Sequence, residues 1–125
     1  MGLLSYSHET KHCRRKIIGF CCPYRELTRY LKKHKVEALL INQLLRSGTS
    51  IAANVQEAIV AISKNEFSAK ISISLKEAKE TSFWLKVLFD TKTISQKEYE
   101  SVANDCLELE KILFPILKTA RINKR

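Results

Sequence analysis

The chain has 125 residues and a formal net charge of +9, from 22 Lys/Arg against 13 Asp/Glu. That length suits one domain able to bury about two-thirds of its unfolded surface, and 45% apolar residues suits a globular core rather than a disordered polyelectrolyte. Three glycines and two prolines leave little room for the turns of an all-β fold, and with no secretory signal and no apolar run near the ~18 residues of a membrane span the expected place is the cytoplasm.

The charge is unevenly placed. Residues 1–35 carry nine Lys/Arg and two Glu, for +7, and Lys118, Arg121, Lys124 and Arg125 add +4, which leaves −2 on the middle of the chain. A basic field of this kind attracts polyanions, nucleic acid foremost; the alternative is that basic termini serve solubility alone.

Residues 1–22 open polar and basic, end in the apolar IIGFCC, and are followed by Pro23; they are expected to form a mobile basic arm. Proline lacks the amide donor and is best tolerated in a first helical turn. The first helix is therefore expected over 24–34, with Tyr24, Leu27, Tyr30 and Leu31 inward and Arg25, Arg29, Lys32 and Lys33 outward. A second helix covers about 36–62. Ser63 with Glu66, and Ser95 with Glu98, form S-x-x-E capping boxes that open the third and fourth helices. The third carries Phe67, Ile71, Ala78, Leu85 and Leu88 at heptad-like spacing. The fourth carries Tyr99, Val102, Cys106, Leu109, Leu113 and Ile116 in steps of 3 and 4, a period suited to bundle packing, with Pro115 expected to kink its end. The fold class expected is all-α, an antiparallel up-and-down four-helix bundle over 23–120, with an arm at 1–22 and a basic tail at 121–125.

Within the second helix, Gln43, Arg46, Ser50, Asn54 and Glu57 follow one another by 3, 4, 4 and 3, one stripe of a helix. Beside them runs an apolar stripe of Leu40, Leu44, Gly48, Ile51, Val55, Ala58 and Ile62. Gly48 costs about 1 kcal/mol relative to Ala in a helix interior, so something is expected to pack close against it. The short link to the third helix makes the two antiparallel neighbours. Facing residues then have numbers summing to about 127, from the short-connection rule, which pairs Glu57 with Lys70, Ser50 with Glu77, Arg46 with Glu80, and Gln43 with Trp84. Such a buried or half-buried polar network fixes register while adding little net stability; the rival reading makes Arg46 and its neighbours a ligand or nucleic-acid site.

The run QLLRSGTSIAANVQEA, followed by Phe67, Lys70 and LKEAKETSFWL at 75–85, resembles the four-helix-bundle proteins related to the 23S ribosomal RNA intervening-sequence protein. The resemblance spans about residues 24–119 and implies a bundle that assembles as a ring-like homo-oligomer, often a pentamer. It implies no settled activity. A related branch, the accessory proteins of diversity-generating retroelements, binds nucleic acid and a reverse transcriptase through a basic surface. Pro23 departs from the long first helix of that family.

Catalysis finds little support. A di-metal bundle site needs paired Glu-x-x-His motifs, and Glu9–His12 is the one match; Ser47 and Ser50 lack an activating base. Cys13, Cys21, Cys22 and Cys106 contain no C-x-x-C, and His8, His12 and Cys13 make weak zinc spacing. No cofactor or metal is expected. The favoured function is phosphate-backbone binding to RNA or DNA through Lys11, Arg14, Arg15, Lys16, Arg25, Arg29, Lys32, Lys33, Lys35, Lys118 and Arg121. The alternative is an oligomeric scaffold that binds a protein partner without nucleic acid.

Overall fold

The structure is a computed structural model that describes the backbone of residues 2–122 and the side chains of residues 11–121. Four helices, α1 (Gly2–Lys33), α2 (Ala38–Ile59), α3 (Lys64–Asp90) and α4 (Gln96–Ile122), run up, down, up and down. Each packs on its two neighbours in the order α1, α2, α3, α4 and back to α1. Among the described residues there is no strand, and no helix is long and apolar enough to cross a membrane.

The capping box forms in full at α4, and at α3 the Glu66 carboxylate reaches one residue further back than the N-cap. Ser63 Oγ accepts from Glu66 N at 3.1 Å, while the Glu66 carboxylate accepts from Ile62 N at 3.0 Å. At α4 the exchange is reciprocal: Ser95 Oγ accepts from Glu98 N at 3.1 Å and Glu98 Oε1 accepts from Ser95 N at 2.9 Å. These side chains satisfy amide groups that the first helical turn leaves open. α2 stops at Ile59, three residues short of expectation, so Ile62 lies in the link at 96% exposure and leaves the apolar stripe.

The first helix corrects the sequence reading most. It does not begin at Pro23 but passes through it, and residues 11–22 are packed helix rather than arm. The reason is a continuous inward stripe of Cys13, Ile17, Phe20, Tyr24, Leu27 and Leu31, all buried, in steps of 4 and 3. An internal proline costs about 3 kcal/mol. Ile17 and Phe20 each recover roughly 1.5–3 kcal/mol on burial, and with the buried Cys13 they offset the proline. Tyr30, expected inward, is 37% exposed and lies against His34, with ring centroids 4.0 Å apart. α4 likewise continues through Pro115 and takes in Arg121, which was expected in the tail. The side chains of His8 and Glu9, and Lys124 and Arg125 altogether, lie outside the described residues.

The close packing expected at Gly48 is the Tyr24 ring. A Cβ there would sit 2.3 Å from Tyr24 Cε1 and 2.5 Å from Cζ. The phenol hydroxyl donates to the carbonyl of Leu44, one turn earlier on α2. Burial pushes this phenol well above its ordinary pKa, so it stays a neutral donor.

Candidate nucleic-acid interface

Because α1 is one helix, the basic residues of the supposed arm and those of the supposed first helix share a single scaffold. At 100° per residue, Lys11, Arg15, Ile18, Cys22, Arg25, Arg29 and Lys33 fall on the side opposite the buried stripe, with Arg14 and Lys32 at one edge. All nine are exposed. The helical rise of 1.5 Å makes this face about 33 Å long. Among the described residues, none of its basic side chains has a carboxylate within 4.0 Å; Lys16, turned toward α4, is bridged to Glu108 at 2.7 Å. That contact holds the Glu108 carboxyl below its usual range. Lys35 is exposed in the α1–α2 link at φ 58°, and Lys118 and Arg121 are exposed in the last turns of α4.

The α2–α3 seam is built differently. Arg46 Nη1 donates to Glu77 at 3.2 Å, Nη2 to Glu80, and Nε to Gln43 Oε1 at 3.2 Å. Trp84 Nε1 donates to the same Glu80 oxygen at 3.1 Å. The Trp84 bond, then Arg46, holds the Glu80 carboxyl below its ordinary value. Lys70 meets Glu57 at 3.6 Å. Asn54 does not cross the seam; it donates to Ser50 on its own helix at 2.8 and 3.0 Å. Gln43 and Trp84 reach the network through Arg46 and Glu80 rather than each other, and Ser50 is engaged by Asn54 rather than Glu77. The Arg46 side chain keeps 48% of its surface exposed, so the network lies at the rim of the seam rather than within it.

The buried polar contacts of that seam belong to smaller residues that sequence reasoning passed over. Thr81 Oγ1 donates to Ser47 Oγ at 2.9 Å, and Ser74 Oγ donates to the Ile51 carbonyl at 2.8 Å. Ser47, Ser74 and Thr81 are fully buried. The signal was available: Ser74 and Thr81 continue the heptad of Phe67 and Leu88, so their hydroxyls had to enter the core. Among the described residues no three His, Cys, Asp or Glu side chains gather to hold a metal.

Between α1 and α4 lies a cleft of about 480 Å³. His12, Arg15, Lys16, Gly19 and Phe20 line it from α1, and Asp105 and Glu108 from α4. It opens beside the Arg15 end of the basic face.

Residues 11–114 match the family described as 23S rRNA-intervening sequence protein. The chain belongs to that family. A crystal structure described as a protein with unknown function from the S23 ribosomal protein family, from Bacteroides thetaiotaomicron, is similar at 39% identity. The similarity covers 88% of this chain and 98% of that one, with a TM-score of 0.84. No curated protein matches. For a member of the intervening-sequence family, the match from residue 11 takes in α1 from Lys11 to Lys33, including the turns upstream of Pro23.

Proposed function

We propose that this protein is a non-catalytic, cytoplasmic binder of RNA or DNA that grips the phosphate backbone with the outward face of α1 and works as a homo-oligomer, a pentamer in the form the family resemblance implies. The observation that carries the reading is the face of Lys11, Arg14, Arg15, Arg25, Arg29, Lys32 and Lys33, about 33 Å long from the 1.5 Å rise, exposed and without acidic partners among the described residues. Lys35, Lys118 and Arg121 extend the same field, and Lys16, paired with Glu108, stands beside it. A rigid row of cations releases counterions from a nucleic-acid backbone, which makes binding tight at low salt and steeply salt-dependent. Several copies in one assembly would multiply that grip without new contacts.

The test is fluorescence anisotropy of a labelled 20-nucleotide RNA and its DNA duplex between 50 and 250 mM salt, with the mass in solution measured alongside. Each lost phosphate contact lowers the slope of log K against log salt by about 0.7 for a single strand and 0.9 for a duplex. Arg25→Gln with Arg29→Gln is therefore expected to lower the slope by about 1.4 to 1.8, and the solution mass to exceed the 14.4 kDa of one chain. A slope unchanged by that pair of substitutions would place the contact elsewhere. No binding at 50 mM salt would end the nucleic-acid reading and favour the scaffold alternative, for which the exposed apolar Phe83, Leu107 and Phe114 are the supporting observation.

A further inference from the structure

The cleft between α1 and α4 has two properties that the packing of this chain does not require. Gly19 lies in the middle of a helix, yet a Cβ added to it would meet nothing within 4 Å. A residue that costs about 1 kcal/mol in a helix is thus held where no internal contact demands it, and its bare backbone lines the cleft. Four residues on, Pro23 has no N–H to donate, so the Gly19 carbonyl lacks its usual helical partner. The cleft also divides its chemistry by wall. His12, Arg15 and Lys16 supply donors along α1; Asp105 and Glu108 supply acceptors along α4. Asp105 is half-buried, and among the described residues no cation pairs with it, whereas Glu108 is already taken by Lys16.

We propose that this cleft receives an unstacked guanine base of a strand bound along α1. This deepens the backbone-binding reading and rests on it. Guanine carries two adjacent donors, N1–H and N2–H, on its Watson–Crick edge, and two acceptors, O6 and N7, beside them. A carboxylate matches the donor pair and an arginine the acceptor pair. Asp105 is the free carboxylate and Arg15 faces it across the cleft. Adenine would set its N1 lone pair against the carboxylate, and uracil and cytosine offer one donor site each. The cleft volume of about 480 Å³ falls in the range of small-molecule sites, about 300–1,000 Å³. The missing Gly19 side chain leaves room for the ring. Recognition of splayed bases beside a phosphate-binding track is a common way to read single-stranded RNA.

The experiment compares a labelled 12-mer of uridine with the same strand carrying one central guanosine, and with one carrying a central adenosine, at fixed salt. The guanosine strand is expected to bind roughly tenfold tighter than the all-uridine strand, within the range of a good bidentate base contact; the adenosine strand gains little. Asp105→Asn is expected to bring the guanosine-to-uridine ratio to about one, and Gly19→Leu, which fills the cleft with a good helix former, to do the same. Circular dichroism confirms the fold of each variant. Equal affinity of the wild type for all three strands overturns the guanine site while leaving backbone binding intact. A preference that survives both substitutions also overturns it. No binding to any strand at low salt overturns both this site and the reading it rests on.

Discussion

The α2–α3 seam and the outward face of α1 treat polar side chains in opposite ways. In the seam, Ser47, Ser74 and Thr81 are bonded inside the core, and Arg46 answers Glu77 and Glu80 at the rim. On α1, Arg15, Arg25 and Arg29 stand in solvent with no partner among the described residues. Matched groups set the axial register of two helices. Unmatched cations of one sign repel one another slightly and add nothing to the fold. Polar residues that the fold does not use are the ones available to a partner, so the contrast supports the proposal of α1 as the binding face more directly than charge counting does.

The widest test of that contrast is chemical. Cys21 and Cys22 are exposed, while Cys13 and Cys106 are buried, with thiol pKa values pushed by burial to about 12 and about 11. A thiol reagent on the native protein is expected to modify two of four cysteines quickly. The other two should react at least about 100-fold more slowly, because they need an opening of the helix packing. Fast labelling of Cys13, read by mass spectrometry, would mean that the upstream half of α1 is undocked and the basic face is not continuous.

The next effect is on stability. Gly48→Ala gains helix propensity but drives a Cβ into the buried Tyr24 ring at 2.3 Å. Overpacking outweighs propensity, and the net loss is expected to be about 1–2 kcal/mol in urea unfolding. Pairing it with Tyr24→Leu should cost less than the two single losses added together, since both act through one contact.

The smallest effect belongs to the rim. Glu80 has a lowered native pKa because Trp84 and then Arg46 bond its ionised form. Its contribution is therefore complete above the ordinary carboxylate value and is lost as the pH falls through the lowered native one. Trp84 is the only tryptophan and donates to Glu80. Its emission is expected to titrate on acidification below about pH 4.5, the ordinary carboxylate value, and Glu80→Gln to remove that titration. Emission that titrates alike in both would place Trp84 outside the network.

Three helices were legible because each carried redundant signals. α3 and α4 had capping boxes as well as apolar period, and α2 had two parallel stripes. The seam followed from one short link: pairing Arg46 with Glu80 and Glu57 with Lys70 needed only an antiparallel turn near 63. α1 was misread because one local rule, the proline, was allowed to outrank a longer pattern. Cys13, Ile17 and Phe20 extend the 3–4 period of Tyr24, Leu27 and Leu31 without a break. The hydroxyl contacts of Ser47, Ser74 and Thr81 were missed because small polar residues in a helix resemble surface positions until the neighbouring heptad members are shown to be buried. The α1–α4 cleft had no signal at all, since it depends on how two helices distant in sequence diverge.

The Tyr24 ring seated over Gly48 acts as a key in a slot. A helix sliding by one residue moves 1.5 Å along its axis and turns its side chains by about 100°, and only one azimuth of α1 places that ring over the one bare position of α2. A single glycine on a neighbouring helix therefore aims the whole cationic row. Filling the slot would not merely loosen the bundle but turn the row about the helix axis, changing where its cations point in a protein whose charges are all still present.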